Sequence, residues 1–292
     1  MTAAPEHPWR PQRLVYLGTP EMAVPPLRAL VAAGFEVVAV VTRADARRGR
    51  GSDVSPSPVK AAAFALGIPV VHRVEDICDL PVELGVVVAF GRLIGSDVLA
   101  AVPMVNLHFS LLPRWRGAAP VERALLAGDT MTGVCLMQLD EGLDTGPVHA
   151  CVEVPIGPEQ TADELRRDLV AAGSALLVDR LRAGLATPRP QQGEVTYAAK
   201  LRSDERRLDW GASAVVRHRT VRLGGAFTTF RGRRLRILEA SVVDAAATGD
   251  TLVGDVIGGL RLLTVQPESK APMPFSAFAN GARPGVGERF GE

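Results

Sequence analysis

RLVYLGTPEMAVPPLRALVAAGFEVVAVVT, residues 13–42, reads as strand, helix and strand in quick succession. RLVYLG is a short apolar run ending in glycine. FEVVAVVT (35–42) is a continuous run rich in β-branched residues, the texture of a strand buried on both faces of a parallel sheet. Between them, TPEMAVPPLRALVAAG predicts a helix opened by Thr19, with Pro20 suited to its first position, and closed by Gly34. Two strands joined by one helix make a βαβ unit, so the chain starts as an α/β domain.

The pattern continues outward from there. A helix is predicted at about 58–66 (PVKAAAFAL), then strands at IPVV, LGVVVAF (84–90) and MVNLHF (104–109). APVERALLAG reads as a helix, TGVCLMQL (132–139) and PVHACVEV (147–154) as strands. A long helix at about 161–183 opens on a capping box made by Thr161 and Glu164. The texture then changes: ATPRPQQGEVTYAAKLRSDERRLDW is polar and interrupted by proline and glycine, a surface linker. Beyond it come one helix-like stretch, SAVVRHRTVRL, and short strands FTTFRG, RLRILEASVV, LVGDVIG and LRLLTVQP with Gly-rich turns, which predict a small β-barrel or sandwich. The expected organisation is an N-terminal arm (1–12), an α/β domain (13–186), a linker (187–202) and a β-rich C-terminal domain (203–292).

Composition sets outer bounds. With 292 residues, 47% hydrophobic and 22% charged, the chain has room for two domains with an ordinary core. No stretch approaches the roughly 20 apolar residues needed to cross a bilayer, and the first residues carry no secretory h-region. Cys78, Cys135 and Cys151 form no CxxC pair and lie in apolar runs, so they are expected to be reduced structural thiols of a cytoplasmic protein. Net charge is +1, but Trp210 to Glu239 contains seven arginines (217, 219, 222, 231, 233, 234 and 236) and no acid before Glu239. A basic field of that kind suits a phosphate-rich partner.

Several chemistries are disfavoured by their missing motifs. The first glycine turn, YLGTPEMA, lacks GxGxxG, and no acid follows FEVVAVVT to hold a ribose, which argues against a dinucleotide site. HExxH, GxSxG and the P-loop pattern are absent, and the five histidines are scattered without metal-ligand spacing. What remains is VNLHFS (105–110) with LDEGLDTG (139–146), both placed by the pattern at the carboxyl ends of parallel strands. Asn106 and His108 are two apart, so on a strand they project from one face. An amide donor beside an imidazole can hold an oxyanion and move a proton in one place, with Asp144 orienting the ring. From spacing alone, a core histidine and a turn aspartate are the better explanation of these residues.

The odds change when several segments are taken together. VNLHFSLLPRWRGAAP (105–120), VVVAFG (86–91), GTPE (18–21), SPSPVK (55–60), LDEGLDTGPV (139–148), VTYAAKL (195–201) and LLTVQPESKAPM (262–273) resemble the methionyl-tRNA formyltransferase family, from about residue 13 to the final GERFG. The resemblance implies a Rossmann-like open, mostly parallel sheet followed by an OB-like barrel that binds tRNA. It implies formyl transfer from 10-formyltetrahydrofolate, without a metal, to the α-amino group of methionine on initiator tRNA. The implied catalytic residues are Asn106, His108 and Asp144. Ser110, Leu111, Leu112 and Pro113 match the family's folate turn, and Val88, Phe90 and Gly91 its pterin-contacting strand end. Arg47, Arg48 and Arg50 match a loop that reaches the acceptor stem. Lys200, Arg231, Arg233 and Arg234 are the tRNA contacts expected on the C-terminal side, and Arg114, Trp115 and Arg116 are expected to brace the site. A monomer with no membrane partner is implied as well.

The chain departs from the family pattern at three places. Ser52 and Asp53 follow Arg50, the connection from His72 to Gly85 is short, and RTVRLGGAFTTF (219–230) lacks an Asn-Pro-Trp-Pro turn. Two other readings keep some of the same residues. One is a folate-dependent formyltransferase for a nucleotide sugar or a glycinamide ribonucleotide; the other is a non-catalytic tRNA-binding relative.

Overall fold

The computed structural model describes residues 8–47, 54–245, 247–285 and 287–291. The opening stretch is β1 (Arg13–Gly18), α1 (Val24–Ala32) and β2 (Glu36–Val41). The helix opens later than its sequence suggests, after a 3-10 turn at Glu21–Ala23. Thr19 provides no cap, since its buried hydroxyl has no hydrogen-bond partner among the described residues. Instead a proline pair, Pro25 and Pro26, fills the first turn, where missing N–H groups cost nothing.

β3 (Ala46–Arg47) and β4 (Val54–Ser55) form a small antiparallel pair. α2 (Pro58–Ala65) is capped by Ser57, whose hydroxyl accepts from the Lys60 N–H at 2.9 Å. The next strands and helices are β5 (Val70–Val71), β6 (Leu84–Val88), α3 (Ser96–Ala101), β7 (Met104–His108) and α4 (Pro120–Ala127). Only one 3-10 turn, Glu75–Ile77, fills the short connection after His72. β8 (Met131–Gln138), β9 (Val148–Pro155) and α5 (Ala162–Ala183) follow. The capping box at α5 forms in both directions, Thr161 N to Glu164 Oε2 at 2.9 Å and Glu164 N to Thr161 Oγ1 at 3.3 Å.

The seven strands pair in the order β5-β2-β1-β6-β7-β8-β9. The first five run parallel; β8 and β9 are each antiparallel to the strand before them. This corrects the placement of LDEGLDTG at the end of a parallel strand. Gln138, at the carboxyl end of β8, lies opposite Val105, near the start of β7. The loop therefore has to return along the sheet to reach His108.

The same register corrects the cysteine reading. Cys135 and Cys151 face each other across β8 and β9, with Cα atoms 4.2 Å apart, and are joined as a disulfide. Their separation of 16 residues conceals a directly opposed pair. Cys78 is the free cysteine.

Contacts divide the chain into two units: Met1–Pro120, Met131–Pro155 and Arg166–Ala199 in one, and Val121–Thr130, Ile156–Leu165 and Lys200–Glu292 in the other. The second contains α6 (Ala214–Arg222) and an all-antiparallel sheet of β10 (Phe227–Phe230), β11 (Arg233–Val242), β12 (Leu252–Val253), β13 (Val256–Ile257), β14 (Leu260–Pro267) and β15 (Met273–Pro274). Its path is β10-β11-β14-β13-β12, with β15 on β14. The final residues bridge the two ends of that path. Leu252 N donates to Glu288 O and Phe290 N to Asp250 O on one side, and Gly291 N to Thr229 O on the other, at 2.8–3.0 Å. The sheet is thereby drawn into a barrel around Phe230, Phe278 and Phe290. A last helix, α7 (Phe275–Ala282), has no counterpart in the sequence reading.

Two of the seven arginines in the acid-free stretch, Arg217 and Arg222, are buried, which corrects the picture of one continuous basic field. Arg217, 1% exposed, donates to the carbonyls of Ala247, Gly249 and Gly258 and lies over the Trp210 ring. Burial pulls its guanidinium below the ordinary arginine range, opposed by the nearby Asp209 carboxylate. Arg222 donates to the carbonyls of Gly157 and Gln160, and Arg219 to that of Ala127. These cations satisfy backbone acceptors at element ends.

Candidate active site

β7 carries Asn106 and His108 on one face, Asn106 half-buried and His108 5% exposed. After His108 the chain leaves the sheet in a tight turn. Ser110, fully buried, donates its hydroxyl to Arg114 O at 2.6 Å, and Arg114 N donates to Leu111 O at 3.1 Å. The turn includes a cis Leu112–Pro113 peptide and brings Trp115 back over the strand end with φ +63°. His108 Nε2 then lies 2.8 Å from Trp115 O. A carbonyl only accepts, so Nε2 carries a hydrogen and its tautomer is fixed by the backbone. The other nitrogen, Nδ1, faces Asp144 Oδ2 at 3.5 Å.

Asp144 reaches this position from the returning loop at φ +51°, in the left-handed region. Its Oδ2 also accepts from Gly117 N at 2.8 Å. Asp140 shapes the same loop by accepting from Gly142 N at 3.1 Å and Thr145 Oγ1 at 2.7 Å. Gly146 has no room for a side chain, because a Cβ would meet Gln138 O. The structure thus brings Asp144 to His108, with Asn106 on the same strand face, by a route the strand pattern did not reveal.

The implied folate contacts divide by type. Val88 and Phe90 are buried in the core, so at the end of β6 the half-buried Ala89 and the exposed Gly91 face outward. Ala89 and Gly91 there have φ +46° and +70°, and a Cβ at Gly91 would meet nothing within 4 Å. The turn is open at Gly91, where no side chain blocks the approach of a flat ligand. Leu111 packs over Gly133, where a Cβ would strike it, and Leu112 N points to Cys135 Sγ at 3.4 Å. A cavity of about 370 Å³ opens on another side of this turn, lined by Leu112, His149, Cys151, Arg189 and Gln191, and does not include the trio. Burial pushes the His149 imidazole below its usual range.

The implied tRNA contacts are more dispersed. Arg48 and Arg50 lie outside the described residues, and Arg47 is on β3. Lys200, Arg233 and Arg234 are exposed, Arg234 stacking over Phe227 with its guanidinium 3.7 Å from the ring centre. Arg231 is already engaged, pairing with Glu288 at 2.5 Å and holding that carboxyl below the usual carboxylate range. Sequence reading gave no role to Gly117 and Thr196, although both lie in family-like segments, and none to Gln191, which lies in no such segment; all three touch the site through hydrogen bonds that involve backbone groups.

The α/β sheet that carries this buried imidazole, strand-face amide and returning carboxylate is of the formyl transferase class. The formyl transferase family matches residues 12–181, and the family's C-terminal domain matches residues 200–283. The methionyl-tRNA formyltransferase of Symbiobacterium thermophilum is 42% identical over 311 residues, covering 95% of each chain. That of Thermobifida fusca is 43% identical over 309 residues, covering 96% of this chain and 99% of its own. Among solved structures, the N-formyltransferase of Helicobacter canadensis in complex with folinic acid and dTDP-3-aminofucose shares the fold. Its TM-score is 0.67 at 18% identity, over 88% of this chain and 99% of that one. The chain belongs to the methionyl-tRNA formyltransferase family.

Proposed function

We propose that the chain transfers the formyl group of 10-formyltetrahydrofolate to the α-amino group of methionine on initiator tRNA, acting in the cytoplasm as a monomer. The observation that carries this reading at the site is His108 Nε2 held 2.8 Å from the Trp115 carbonyl oxygen, with Nδ1 turned to Asp144. The nucleophile is the neutral amine of the aminoacyl group. As it attacks the formyl carbon, the carbonyl oxygen gains charge, and the Asn106 amide is the donor on the β7 face that stabilises it. The amine must lose a proton and the departing folate nitrogen must gain one. His108 Nδ1 takes and returns that proton, with Asp144 stabilising the ring while it is charged. Amine and formyl group form an amide, tetrahydrofolate leaves, and no covalent bond to the protein is made. The open turn at Gly91, which follows the buried Val88 and Phe90, and the edge from Ser110 to Pro113 hold the folate.

Asp144→Asn should retain the contact with Gly117 N through its amide oxygen but remove the charge facing Nδ1. Turnover at saturating substrate is expected to fall by about 10²-fold or more, with tRNA affinity unchanged. Steady-state kinetics alongside a filter-binding assay checks both. Loss of binding with turnover per bound tRNA retained would contradict the assigned role.

Lys200, Arg233 and Arg234 are the exposed cations proposed to meet the tRNA backbone, with Arg47, Arg48 and Arg50 toward the acceptor stem. Reversing Arg233 and Arg234 to Glu should weaken binding and reduce the slope of log affinity against log salt by roughly one to two. An unchanged slope would remove this strand end from the RNA surface. Acceptor choice is tested by offering methionyl-tRNA and an amino-sugar nucleotide in competition; the proposed function expects the formyl group on the tRNA.

A further inference from the structure

Residues 187–199 connect the end of the α/β sheet region to the start of the second unit at Lys200, and nothing in the chemistry above uses them. They are nevertheless tied to the site at both ends of the His108–Asp144 pair. Gln191 Oε1 accepts from Arg116 Nε at 3.0 Å and Nη2 at 2.6 Å, while its Nε2 donates to Asp144 O and Gly146 O, each at 2.8 Å. Only one orientation of the amide satisfies this set, because a guanidinium must donate and two carbonyls must accept.

Five residues further on, Thr196 Oγ1 accepts from Trp115 N at 2.9 Å, and Thr196 O accepts from Arg116 N at 2.9 Å. Ala198 N donates to Arg116 O at 2.7 Å, so Thr196 and Ala198 hold Arg116 from both sides. Trp115 supplies the carbonyl that fixes His108 Nε2, and Asp144 supplies the carboxylate facing Nδ1. Both residues have left-handed backbone, at φ +63° and +51°. Non-glycine residues persist in that region when their surroundings over-determine them. Here the surroundings are the linker.

From this geometry we infer that Gln191 is a positioning residue for formyl transfer, setting the Asp144 loop and, through Arg116, the backbone anchor of His108. The inference rests on His108 and Asp144 being the groups that handle the proton. Glutamine meets the chemical requirement and glutamate does not. A carboxylate at 191 would still pair with Arg116 but would set an oxygen against the carbonyls of Asp144 and Gly146.

The test is a set of full-length variants, Gln191→Glu, Gln191→Ala, Asp144→Asn and the double variant Gln191→Ala/Asp144→Asn. Gln191→Glu and Gln191→Ala are expected to lower kcat by about 10–100-fold, the scale of an ångström of misplacement, with KM for donor and for tRNA little changed. In the double variant, Gln191→Ala should add little to the loss from Asp144→Asn, since both act on one group. Full kcat in both single variants, or losses that multiply in the double variant, would overturn the inference. So would a fall in kcat matched by the fraction of chain unfolded. The 15N signals of the His108 ring give an independent readout that needs no turnover. Gln191→Ala should shift the Nε2–H signal, and an unmoved signal would count against the linker as its anchor. A parent chain that fails to formylate tRNA would overturn the proposed function, while the ring signals would still decide the role of Gln191.

Discussion

His108→Ala is expected to lower turnover at saturating substrate by about 10³-fold or more, within the range carried by one general acid–base group. The loss should fall on kcat, because no feature of the ring's surroundings suggests a role in holding tRNA. Nε2 is committed to Trp115 O, and Nδ1, the nitrogen proposed to carry the proton, faces Asp144. The imidazole is 5% exposed and donates to the Trp115 carbonyl, so losing that hydrogen bond costs about 0.5–1.5 kcal/mol. β7 is held by β6 and β8 on its two sides, so the variant should remain folded. Rapid-quench measurement of a single turnover, with circular dichroism as the folding control, separates the effects. Turnover within about tenfold of the parent would exclude His108 as the proton carrier, because such a group contributes at least roughly 10²-fold.

Arg217→Ala should have the largest effect on stability, about 3–5 kcal/mol lost from the second unit. Three backbone carbonyls, from Ala247, Gly249 and Gly258, would lose a charged donor at once in a site where the side chain is 1% exposed. Arg217→Lys should recover only part of this, because a single ammonium lacks the planar fork that reaches several acceptors. Urea unfolding followed by Trp fluorescence checks it, since Trp210 stacks on the guanidinium. A change below about 1 kcal/mol would mean water replaces the arginine freely. RNA affinity of the folded fraction should be unchanged, which distinguishes Arg217 from Arg233 and Arg234.

What the sequence could and could not disclose follows from the range of the forces involved. Local signals were legible: the βαβ opening, the Thr161–Glu164 box and the i, i+2 spacing of Asn106 and His108 depend on neighbours a few residues away. The direction of β8 was not, because a strand buried on both faces has the same apolar pattern whichever way it runs. With direction unknown, the pairing of Cys135 with Cys151 was hidden too. The arginines of α6 read as solvent-facing charge because composition does not show which carbonyls the fold leaves unpaired. Arg217 and Arg222 answer that need, and Arg233 and Arg234, on an exposed strand end, do not. Gln191 is the plainest case. It looks like one polar residue in a polar linker until the fold brings Arg116, Asp144 and Gly146 around its amide.

The most direct test of the whole is to incubate the purified chain with methionyl initiator tRNA, with and without 10-formyltetrahydrofolate, and to detect the aminoacyl product by mass. Formylmethionyl-tRNA should accumulate only with the folate donor and only when His108 and Asp144 are intact. Formylation of an amino-sugar nucleotide with the tRNA left unmodified, or no transfer at all from the parent chain, would contradict it.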